Sequence, residues 1–141
     1  MSALVVRVVS AVVLAVLMVA YAWITLREDG RMMTIPFLPH WLKYHLELHA
    51  YTRNFPAFFL LSVFGAGAVA GLRLEWKVLS FALCLIAPFA KDFAQIFLLT
   101  RHFNWTATCW GISGALVGWM ATASLLALLV AGKKERRQSG I

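Results

Sequence analysis

Charge is scarce in this chain. Only 13% of its 141 residues are charged, and six acidic residues stand against thirteen lysines and arginines. Soluble domains run near 25% charged and about 45–50% apolar, so the residues present cannot clothe a water-facing surface. Cysteine occurs twice, at Cys84 and Cys109, which excludes a disulfide framework. Both fall inside apolar runs at different depths, and free thiols are expected. There is no internal repeat and no low-complexity segment, so repeat architectures are excluded. No base-stacking or phosphate-cradling motif accompanies the net charge of +7, and the basic residues sit at the ends of apolar blocks. No nucleic-acid partner is expected.

What the chain has is apolar mass: 62% of it is hydrophobic. A protein this small buries proportionately little surface and cannot hide that excess inside a core. A bilayer is the solvent that accommodates it. A spanning helix needs about 20 apolar residues for roughly 30 Å of hydrocarbon. The first such block covers 4–26 and is interrupted by Arg7. Ala20-Tyr21-Ala22 resembles a signal-peptide cleavage site, but the length of the block favours an anchor. Further blocks cover 55–72, 77–100 and 105–131, and a basic tail occupies 132–141. Pro88 falls inside the third block, where it removes the backbone hydrogen bond to Cys84 and predicts a kink.

Between the first two blocks the chain is polar and mixed. Glu28-Asp29-Gly30-Arg31 reads as a turn, and Pro36 and Pro39 break the chain again. Trp41, Tyr44, Leu48 and Tyr51 then recur at helical spacing, with Lys43 and Glu47 at i,i+4. The stretch 39–52 is expected to be a short amphipathic helix at the membrane interface. The expected fold is therefore an all-α integral membrane protein forming a single membrane domain over 1–141. It has four transmembrane helices and one interfacial helix, with both termini cytoplasmic. The positive-inside rule sets this orientation. Arg7, Arg73, Lys77, Lys133, Lys134, Arg136 and Arg137 then lie inside, against Arg27, Arg31, Lys43, Arg53 and Arg101 outside.

Small residues mark candidate packing faces. Gly67 and Gly71 on the second block, and Gly114 and Gly118 on the fourth, have the small-xxx-small spacing that lets helices approach closely. Intramembrane polar groups mark a candidate site. Lys91, Asp92 and Gln95 fall in the outer part of the third block, and Arg101 and Asn104 follow at the turn into the fourth. Asp92 and Gln95 share a helix face, whereas Lys91 lies about 100° away from Asp92. Such groups are costly in a membrane and suggest function by default. A satisfied network that ties helices together is the competing reading. His45 and His49, at i,i+4, have a chelating spacing but lack further ligands, so no metal site is expected. No cofactor is expected either. No nucleophile–base pair can be assembled, which speaks against an enzyme.

The run Asp92-Phe93-Ala94-Gln95-Ile96-Phe97-Leu98-Leu99-Thr100-Arg101-His102-Phe103-Asn104-Trp105, followed by Gly114-Ala115-Leu116-Val117-Gly118, resembles the signature of the VanZ-like family of small bacterial membrane proteins. Asp92 stands at the family's Glu. Gln95, Phe97, Arg101 and Phe103 match directly. Asn104 stands where Asp is usual, Ala107 at a second Asp and Gly111 at an Asn. His45 and His49 near Tyr51 loosely echo an upstream signature.

The resemblance covers about 30 residues. It implies a protein of the bacterial cytoplasmic membrane acting on cell-envelope glycolipids, peptidoglycan precursors or lipoglycopeptides, with antibiotic resistance as the family's phenotype. Arg101 would hold an anionic group, and Asp92 and Gln95 would orient it. The alternative is an accessory subunit of a larger membrane complex, possibly one that contains pigment or cofactor. The expected partners are thus the lipid bilayer and either an envelope glycolipid or another membrane protein.

Overall fold

A computed structural model of the chain describes residues 3–25, 36, 39–49, 52–96 and 103–138. Every regular element among them is a helix: α1 (Ala3–Thr25), α2 (His40–Leu48), α3 (Asn54–Ala68), α4 (Leu74–Ile96) and α5 (Trp105–Gln138). In α1, α4 and α5, segments of 21, 23 and 28 residues are long and apolar enough to cross a membrane. Most of their large apolar side chains face outward, as they would toward lipid.

α3 is the hub. It packs against α1, α4 and α5, and its contact with α5 is the most extensive in the molecule. Phe58, Leu61 and Ala115 form the buried core. Leu14, Leu17 and Tyr21 of α1 and Cys84, Leu85 and Ala87 of α4 pack around it. The core is thin because helix association within a bilayer depends on close packing more than on burying oil away from water.

Glycine sets that closeness. A Cβ added to Gly114 would overlap the carbonyl oxygen of Phe55 and lie 3.0 Å from its carbonyl carbon; one on Gly118 would meet Phe59 in the same way at 3.1 Å. The i,i+4 glycines of α5 therefore ride on two successive turns of the α3 backbone. Gly67 makes room for Ser10 of α1, and Gly111 for Pro88 and Phe58. Pro88 thus fills a notch between α4 and α5. Ser80 of α4 adds a hydrogen bond to the Gly65 carbonyl at 3.2 Å.

Gly71 is different from the packing glycine its spacing suggested. No atom lies within 4 Å of where its Cβ would be, and its φ is +75°. It supplies the left-handed conformation that ends the segment, within the turn made by Ala70 N–H to Gly67 O and Leu72 N–H to Val69 O. That turn is why α3 stops at Ala68 and not at the expected 72. Fifteen residues give about 22 Å of helix, shorter than the hydrocarbon thickness.

Other boundaries also move. α4 begins at Leu74 and not at the expected 77, so Glu75, Trp76 and Lys77 fall in its first turn; the acidic Glu75 suits the positive end of the helix dipole. α5 runs unbroken to Gln138, so most of the basic stretch expected as a separate tail continues the helix. α2 is shorter than the expected 39–52, and Trp41, Tyr44 and Leu48 are exposed on it. The expected turn at 28–31 lies outside the described residues.

Candidate functional site

The polar groups of the second half of α4 converge with residues from every other long helix. Lys91 and Asp92 are neighbours on α4, and their Cβ atoms diverge by about 100°. The lysine stem nonetheless brings Nζ back to Asp92 Oδ1 in an ion pair, and the two side chains are 11% and 3% exposed. The second carboxylate oxygen, Oδ2, accepts a hydrogen bond from the hydroxyl of Thr108 on α5. Both oxygens of a buried anion are thereby engaged, the condition under which burying it is tolerable.

The start of α5 places Thr108. Asn104 precedes the helix, and its side-chain Oδ1 accepts the N–H of Ala107 at 3.1 Å, an N-cap bond to the third helical residue. Its backbone carbonyl accepts the first helical bond, from Thr108 N–H at 3.0 Å. The Thr108 hydroxyl lies 3.1 Å from that same carbonyl. It has one proton to give, and the carboxylate of Asp92 is the stronger acceptor. Asn104, expected to bind a ligand, thus uses its oxygen to cap α5. Replacing it, Asn104→Ala, should lower stability by about 1 kcal/mol, readable as a lower melting temperature in detergent. An unchanged melting curve would remove the cap from this account.

Asn54, at the first turn of α3, carries the network across the bundle. Its Nδ2 donates to the Ala107 carbonyl at 3.0 Å, and its Oδ1 accepts from the Tyr21 hydroxyl of α1 at 3.3 Å. Asn54 is buried. Tyr21 also meets Phe58 edge-on, with centroids 5.2 Å apart. Gln95, one turn beyond Asp92 and Lys91, is buried on the same end of α4. Four helices are tied at one level by a continuous chain of polar contacts.

Aromatic side chains rim this end. Phe103 lies edge-on to Trp105 at 4.8 Å and to Phe93 at 6.4 Å, and Phe89 faces Trp105 at 6.4 Å. Trp105 and Phe93 are largely exposed, as side chains of an interfacial aromatic belt are.

The structure therefore brings Lys91, Asp92, Gln95 and Asn104 to one end of the bundle. Arg101, together with Phe97 and His102, lies outside the described residues. His45 and His49 sit on α2 with ring centroids 4.6 Å apart. Among the described residues α2 has no extensive contact with the long helices, and no group of three or more His, Cys, Asp or Glu side chains converges. The polar chain depends on three residues that the sequence did not single out. Thr108 carries a weak signal, since it lies on the same α5 face as Gly111 and Ala115. Asn54 is polar at the start of an apolar block, where a solvated position is the ordinary reading. Tyr21 stands out in the sequence only as the middle of the cleavage-like Ala20-Tyr21-Ala22 triplet. Nothing along the chain pairs them.

No known family model matches the chain, and neither a curated protein nor a solved structure is similar to it.

Proposed function

We propose that the protein is a multi-pass protein of the bacterial cytoplasmic membrane that receives an anionic envelope headgroup at the outward end of α4 and α5. The headgroup would belong to a glycolipid, a peptidoglycan precursor or a lipoglycopeptide. In this reading the chain crosses the bilayer four times and keeps both termini in the cytoplasm, with α3 as the short crossing. Its flanks are covered by α1, α4 and α5, so its length need not match the lipid.

One observation carries the reading. The Lys91–Asp92–Thr108 cluster sits directly before the α4–α5 connection that bears Arg101. Asp92 already has a cation and a hydroxyl donor, so Arg101 is not needed to neutralise it. In this reading the Arg101 guanidinium, which is suited to bidentate hydrogen bonding, would capture the phosphate or carboxylate. The VanZ-like pattern of Asp92, Gln95, Arg101 and Phe103 points to the same role.

The test is a growth-inhibition assay with lipoglycopeptide antibiotics. The wild-type chain should lower sensitivity, and Arg101→Ala should abolish the effect while the protein accumulates normally in the membrane. Equal protection by wild type and Arg101→Ala sinks the headgroup role.

An accessory subunit is the second reading. Among the described residues α1 packs extensively on α3 but not on α4 or α5, and its apolar residues Val8, Val12, Val16 and Val19 face outward. A partner helix would cover them as well as lipid does. Migration at monomer mass on a native gel in mild detergent would count against it.

A further inference from the structure

At the end of the bundle opposite the polar network, the helices part. The glycines that press α5 onto α3 stop at Gly118. Beyond them a crevice of about 1020 Å³ opens between the end of α3, the start of α4 and the second half of α5. Its volume is at the upper end of the range for ligand pockets. Ala66 of α3, Ala70 of the turn that follows it, and Ala123 and Ala127 of α5 line it; these side chains are too small to close the gap from either side. Val78 and Phe81 form the α4 wall.

Polar groups in the lining are few, and their positions are ordered along the helices. Lys77 lies in the first turn of α4. Phe81, one turn along and about 6 Å deeper, meets the Trp119 ring edge-on at 5.2 Å. Trp119 lines the same crevice, and its indole N–H is buried with no hydrogen-bond partner among the described residues. An N–H left unpaired in an apolar wall is costly and calls for an acceptor.

A cation at the mouth, a donor one turn deeper and an apolar trough beyond match the order of groups in a membrane phospholipid: phosphate, ester carbonyls, acyl chains. We propose that this crevice is a binding site for an anionic phospholipid. Its phosphate lies against Lys77, an ester carbonyl accepts the Trp119 N–H after a small turn of the ring, and an acyl chain fills the space between α3 and α5. Basic pockets between membrane helices are the established setting for anionic headgroups. The inference needs a membrane but neither the orientation nor the headgroup role proposed above.

Native mass spectrometry of the full-length protein, purified in mild detergent and titrated with phosphatidylglycerol or phosphatidylcholine, tests it. One phosphatidylglycerol should be retained in preference to phosphatidylcholine. Lys77→Ala should reduce that preference about fivefold, the factor for one basic group at an anionic surface. Ala123→Phe, which fills the trough, should remove both lipids. Bromine-labelled phosphatidylglycerol at trace levels should quench the wild type more than Trp119→Phe, a milder change that keeps an aromatic ring in the wall and locates the lipid independently of Ala123→Phe. Equal retention of both lipids by wild type, retention unchanged by Ala123→Phe, or quenching unchanged by Trp119→Phe overturns the proposal. So does retention of a second polypeptide in place of lipid.

Discussion

Gly114→Val should be among the most damaging single substitutions in this protein, lowering stability by about 3 kcal/mol, the upper end of ordinary overpacking. Its Cβ would overlap the Phe55 carbonyl oxygen. A flexible side chain can swing away from such a clash, but a helix backbone cannot, so α5 would have to withdraw from α3 along their main contact. Gly118→Val, against Phe59, should behave alike. Gly132 is the control. No atom lies within 4 Å of its added Cβ, so Gly132→Ala should be neutral or should stabilise by up to about 1 kcal/mol through helix propensity. Thermal melting in detergent reads both. If Gly114→Val melts with the wild type, α3 and α5 do not pack as described.

Asp92→Ala should rival it. Removing the carboxylate leaves the Lys91 ammonium buried without its partner anion, which costs about 3–5 kcal/mol. Less protein should then reach or persist in the membrane. For this reason Asp92→Ala is a poor test of function, and Arg101→Ala is the informative one.

The double variant Lys91→Met with Asp92→Leu separates the two roles of the pair. Replacing both charges by apolar groups of similar size is often neutral or stabilising, so the double variant should melt near the wild type. If antibiotic protection returns with stability, the pair serves packing. If stability returns and protection does not, the charges serve the headgroup site. A double variant as unstable as Asp92→Ala would mean that Thr108, Asn54 and Tyr21 depend on the anion itself.

Much of the helical plan was legible in order of appearance. The long apolar runs at 4–26, 77–100 and 105–131 are recovered as α1, α4 and α5 with shifted ends, because a run of that length has few alternatives to a helix. The short amphipathic stretch appears as α2. The glycine spacing on α5 was legible as a close-packing face, and Gly114 and Gly118 do abut a backbone. The same spacing misled at Gly71. Spacing cannot tell a glycine that admits a neighbour from one that supplies a positive φ, and the turn at Val69–Gly71 is set by how α3 hands over to α4. The end of α5 was misplaced because charged residues were read as a break. On a helix already started, lysine, glutamate and arginine are good formers, and they carry it on to Gln138.

The site divides along the same line. Composition and apolar run length determined that this is a helical chain suited to a bilayer, and that ionisable residues within it need partners. Those properties are local, because hydrophobic length and the cost of an intramembrane charge do not depend on which helix stands beside which. The choice of partners is not local. Asp92 meets Thr108 sixteen residues away, and Asn54 meets Ala107 fifty-three residues away. The glycine-spaced contact of α5 with α3 brings those levels together. The close-approach glycines of that contact stop at Gly118, and the crevice opens beyond them. Tertiary packing, set by where small residues let backbones meet, decided both what the polar end encloses and what the apolar end leaves open.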